Sequence, residues 1–96
     1  MLFVIYCVDD QSDSGRRLTY YPEHRKYLRA AQTDSFKIIM SGPLVDEKTQ
    51  QKIGSLYILE APGRKEVEEF HCSDPFFKAR VWATSSISCF HRKIGR

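Results

Sequence analysis

The chain has 96 residues, of which 42% are hydrophobic and 28% charged, and its formal net charge is +3. That length favours one domain, and the composition is globular rather than disordered. Much of the positive excess sits in the closing HRKIGR, so the broad basic face of a nucleic-acid binder is excluded, and no apolar run reaches membrane-spanning length.

Residues 2–8, LFVIYCV, predict a first strand, apolar on both alternating faces and therefore in need of cover on both. The run lacks a basic lead-in and meets Asp9 and Asp10, so it does not fit a signal peptide. Residues 9–19 read as a polar loop, with Arg16 and Arg17 as solvated charge. A helix is expected from Tyr21 or Pro22 to about Asp34, because proline suits a first helical turn. Its inward face is His24, Tyr27, Leu28 and Ala31. Residues 36–41 predict a second strand, stopped by Gly42 and Pro43, and residues 53–61 a third. PGRKEVEEFHCS carries a second helix with Val67, Phe70 and His71 inward, closed by Asp74 and Pro75. The last strand runs from about Val81 to Phe90, and the basic tail follows it.

The order β-α-β-β-α-β predicts an α+β, ferredoxin-like fold with a four-stranded antiparallel sheet. Both helices cover one sheet face, and the apolar first strand predicts that a second subunit covers the other. Tracing strand directions brings His24, Ser41, Gly42, Pro43, Gly54 and Asp74 to one end of the sheet. A carboxylate beside a histidine fixes its tautomer and frees the other ring nitrogen to exchange a proton. The same residues also read as a satisfied structural histidine and a turn-capping aspartate, and spacing leaves both readings open. The tyrosines, Tyr57 included, read as packing. Cys7, Cys72 and Cys89 are odd in number, which fits reduced thiols in a cytoplasmic protein. No Cys or His spacing suggests zinc, and no cofactor motif is visible, so neither metal nor cofactor is expected.

MLFVIY, YPEHRKYL, SGPL, GSLYILEA and DPFFKARV, in that order, resemble the YCII-related family across nearly the whole chain. The resemblance implies one YCII-like domain over 1–96, with 82–96 as final strand and tail, pairing into a dimeric α/β barrel. It implies a His-Asp dyad at His24 and Asp74, with substrate contacts expected from Tyr21, Ser41, Gly42, Pro43 and Arg80. Tyr21 stands where relatives commonly carry Arg, and Arg80 where many carry Gly. Some relatives act in the breakdown of chlorinated hydroxyhydroquinones, and the wider superfamily includes muconolactone isomerases and small monooxygenases. The expected function is proton transfer on a small cyclic or aromatic compound, of isomerase, lyase or dehydrochlorinase type. The alternative is a non-catalytic ligand-binding or regulatory module. The expected partners are a second copy, or a higher assembly, and a small organic molecule, with no nucleic acid and no membrane.

Overall fold

In the computed structural model, which describes residues 1–13 and 15–95, strand β1 (Leu2–Asp9) buries Phe3, Ile5, Cys7 and Asp9 on one side. Tyr6 and Val8 face the other side and are exposed. This two-residue alternation is what a pleated strand imposes. Helix α1 (Arg16–Ala31), β2 (Lys37–Val45), β3 (Lys52–Glu60), α2 (Arg64–Ser73), the one-turn α3 (Pro75–Lys78) and β4 (Trp82–Phe90) complete the chain. The sheet is antiparallel throughout, in the order β2-β3-β1-β4, as the ferredoxin-like arrangement requires.

Helix α1 begins at Arg16 rather than at Tyr21 or Pro22. The loop before it is pinned by aspartates: Asp10 Oδ1 accepts from the Ser12 N–H, and Asp13 Oδ1 from the Gly15 N–H. Arg16 then donates to the Arg80 carbonyl and Arg17 to Asp9, anchoring the first turn. Pro22 consequently lies inside the helix, where it cannot donate to the Leu18 carbonyl four residues back. Leu18 is well exposed, so water can reach that position.

Strand β2 likewise runs through Gly42 and Pro43 instead of stopping before them. The pairing continues as Gly42↔Leu56, Pro43↔Ser55 and Leu44↔Gly54. An edge strand tolerates proline because one side of its backbone needs no ladder partner. The turn to β3 is held by Asp46 Oδ1, which accepts from the Lys48 and Thr49 N–H groups.

The core joins Phe3, Ile5, Tyr57 and Leu59 of the sheet to Val67, Phe70 and Phe76, with Tyr27 and Leu28 packed against it. The opposite sheet face carries Leu2, Val4, Tyr6 and Val8 of β1, opposite Ile58 and Leu56 of β3 and Phe90 of β4. Among the described residues no layer covers that face, and Tyr6, Val8 and Phe90 are exposed. Among the described residues no helix is long and apolar enough to cross a membrane. Residues 91–95 of the basic tail are exposed, and Arg96 lies outside the described residues. Of the three thiols only Cys7 is buried, and burial pushes it up to about 12.

His71 is buried between Trp82 and Phe77, and among the described residues neither ring nitrogen has a hydrogen-bond partner. Burial pushes its imidazole below the ordinary value of 6.5, although the Asp74 charge opposes this. The unfolded chain therefore takes up the proton first. Stability is unaffected by His71 above about pH 6.5 and is lost as pH falls below it, by at most about 1.4 kcal/mol per pH unit. In thermal melts between pH 7 and 5, His71→Phe is expected to lose less Tm than the parent chain; parallel losses would contradict this.

Candidate active site

Four elements meet over one concavity of roughly 640 Å³. His24 comes from the middle of α1 and is buried, and Asp74 comes from the junction of α2 and α3. They lie fifty residues apart in sequence, yet His24 Nδ1 and Asp74 Oδ1 are 2.7 Å apart. An ionised carboxylate can only accept, so Nδ1 carries the proton between them, and in the neutral ring Nε2 then keeps its lone pair.

Asp74 is completely buried, and its local role explains its position. It closes α2 and caps α3, accepting from the Phe76 N–H at 2.9 Å, with Pro75 as the first residue of α3. The capping reading and the dyad reading are thus both true of one oxygen, because Oδ1 accepts from Phe76 and from His24 together.

Phe76 stacks flat on the His24 ring, with centroids 3.8 Å apart. Tyr57 places its hydroxyl 3.4 Å from both His24 Nε2 and Asp74 Oδ2. Burial, reinforced by the Asp74 charge, pushes this phenol far above its ordinary range, so it remains a protonated donor. Tyr57 is therefore more than packing.

Strand register explains the opposite wall. Ser41 pairs with Tyr57 and Pro43 with Ser55, and Ser41, Gly42 and Pro43 all line the concavity with His24 and Tyr21. Lys52 Nζ lies over the Tyr21 ring at 5.7 Å from its centroid. Gly54 is required by a close approach: a Cβ there would stand 2.2 Å from the Cys7 carbonyl oxygen. Arg80 does not line the concavity. It is exposed after α3 with φ of 60°, and its carbonyl accepts from Arg16.

Arg17, read from the sequence as solvated charge, is instead a wall residue with a side chain only 12% exposed. It grips Asp9 through Nε at 2.8 Å and Nη2 at 2.7 Å. Nη2 also donates to the Gly54 carbonyl and to Ser55 Oγ, and Trp82 Nε1 donates to the same Oγ. Its signal was present in the sequence: Arg17 precedes His24 by seven residues, two helical turns, on one face. Placing the helix start at Pro22 hid it. Among the described residues no three His, Cys, Asp or Glu side chains gather as a metal-binding group.

The model of the YCII-related domain matches residues 1–91. The chain belongs to the YCII-related family. Among solved structures it is similar to TftG of Burkholderia phenoliruptrix AC1100, a 5-chloro-2-hydroxyhydroquinone dehydrochlorinase in complex with 2,5-dihydroxybenzoquinone. The identity is 31%, over 97% of this chain and 96% of that one, with a TM-score of 0.87. An antibiotic biosynthesis monooxygenase, 18% identical over 98% and 100% of the two chains with a TM-score of 0.57, shares the fold. So does a dimeric protein of unknown function from Bacteroides fragilis NCTC 9343, described as ferredoxin-like, 13% identical over 91% of each chain, TM-score 0.51. No curated protein matches the chain. Arg80 holds a left-handed backbone, at a cost of about 1–2 kcal/mol relative to the ordinary conformation of a residue with a side chain.

Proposed function

We propose that this YCII-family chain is a small enzyme that moves a proton on a small cyclic or aromatic organic compound. His24 is the base and Asp74 orients it and balances its charge. The 2.7 Å contact between Nδ1 and Asp74 Oδ1, on the wall of a concavity, carries this reading. Nε2 takes a proton from the substrate, the imidazolium that forms is stabilised by Asp74, and the electron pair left behind makes a new double bond. If a chloride leaves, the net change is loss of HCl; if the proton returns elsewhere, it is isomerisation. The Tyr57 hydroxyl donates to Asp74 Oδ2, the carboxylate that balances the imidazolium. Similarity to the dehydrochlorinase favours the first outcome and a hydroxylated, chlorinated ring as substrate.

The test is chloride release from 5-chloro-2-hydroxyhydroquinone and related rings, with solvent deuterium entry into ring C–H positions followed in parallel. Turnover in either assay is expected. Saturable binding with neither chloride release nor exchange would instead make the chain a binding module.

The working form in this reading is a cytoplasmic homodimer closed through the uncovered sheet face. An apolar face spanning β1, β3 and β4 supports the pairing, and free thiols, two of them exposed, suit a reducing compartment. Tyr6→Lys, in the middle of that face, is expected to weaken the dimer at least tenfold in sedimentation. A wild-type chain that sediments only as monomer at micromolar concentration contradicts it.

A further inference from the structure

We propose that the basic segment after β4, residues 91–95, docks on a second copy of this chain, in a groove between α1 and α2. The groove lies in the helical layer, so the bare sheet face stays free, and its volume is roughly 390 Å³. Phe36 and Phe70, both buried, line it with Tyr27 and Ala31. Glu66 and Glu69 stand beside them, exposed and one helical turn apart. Among the described residues neither glutamate joins an ion pair, and no basic side chain lines the groove.

The segment after β4 is the complement in both respects. Ile94 is 95% exposed, more than any other large apolar side chain among the described residues. Arg92 and Lys93 precede it, exposed, and among the described residues neither has an ion-pair partner. One apolar side chain led by two cations matches an apolar groove edged by two carboxylates. Burial of Ile94 supplies affinity, and the charges select the partner and its direction. Strand register shows why the groove belongs to another copy. Lys37, Glu60, Leu2 and Phe90 form one row across the sheet, so Phe36, beside Lys37, is three strand spacings from Phe90, about 14 Å. Ile94 follows Phe90 by four residues and reaches about 14 Å only when fully extended. Helix α2 stands in that path, with Arg64 bonded to the Ile87 carbonyl of β4. A chain's own Ile94 therefore falls short of its own groove, whereas a neighbour's has no such limit.

The experiment mixes two variants of the whole chain and follows them by NMR. One, labelled with nitrogen-15, carries Arg92→Glu and Lys93→Glu, so only its groove can take part. The other, unlabelled, carries Glu66→Lys and Glu69→Lys, so only its segment can. All four positions are exposed, and circular dichroism checks that both variants fold. Amide shifts at Ala31, Glu69 and Phe70 of the labelled chain are expected on mixing, saturating below about 1 mM, as suits an interface smaller than the standard size. Ile94→Ser in the unlabelled chain is expected to weaken the response at least about tenfold, the share of one buried isoleucine. No shift in the groove at millimolar concentration would overturn the proposal. Shifts that survive Ile94→Ser unchanged would reduce the contact to unspecific charge attraction and overturn it too. So would a wild-type chain whose groove amides differ from those of the Arg92→Glu, Lys93→Glu variant equally at every concentration, since its segment would then fold back on its own copy.

Discussion

His24→Gln is expected to lower kcat by about 10²–10⁴-fold in the chloride-release or exchange assay, with the fold retained. Glutamine fills similar space and can still donate to Asp74, but it offers no lone pair that takes up a proton in neutral water. Asp74→Asn is expected to show a loss of the same order for a different reason. The amide oxygen can still accept from the Phe76 N–H and from Nδ1, so the cap on α3 is kept. What disappears is the negative charge that balances the imidazolium in the transition state. Circular dichroism separates both effects from unfolding. Full activity in both folded variants would remove the dyad from the mechanism.

Gly54→Ala is expected to destabilise the chain by about 3 kcal/mol, at the upper end of overpacking costs. The added methyl would stand 2.2 Å from the backbone oxygen of Cys7 on the neighbouring strand, with no flexible side chain to give way. Relief requires β1 and β3 to part at the Val8↔Gly54 pair, beside the carbonyl that Arg17 holds. Gly42→Ala is the control. Nothing lies within 4 Å of a Cβ there, and a strand residue gains about 0.5–1 kcal/mol when glycine becomes alanine. Urea titrations of the two variants should therefore move in opposite directions. Equal midpoints would show that the close approach at Gly54 is easily relieved.

The fold was legible because its signals are local. Alternation in LFVIYCV and helical phase in the second helix do not depend on distant residues. The meeting of His24 with Asp74 was legible once strand directions were traced, since topology alone carries both to one end of the sheet. What escaped is long-range. Proline is a strong start signal, but contacts of Arg16 with Arg80 and of Arg17 with Asp9 pull the true start forward. Gly42 and Pro43 look like a strand stop unless β2 is known to be an edge. Only the first misplacement concealed a site residue, Arg17; the second left Ser41, Gly42 and Pro43 in the site but hid the register that pairs Ser41 with Tyr57 and Pro43 with Ser55.

The separation of His24 from Asp74 also governs when the site can exist. A chain emerging from the ribosome exposes His24 while its partner is still fifty residues from being made, a gap of several seconds at about 5–20 residues per second. The capping turn at Asp74 needs Phe76, and the Ser55 Oγ that accepts from Arg17 gains its second donor only with Trp82. The site is thus assembled by residues in the last quarter of these 96 residues. In the proton-transfer reading, a nascent fragment that stops short of Asp74 lacks the dyad, and pairing of His24 reports that this part of the chain has been made and has folded.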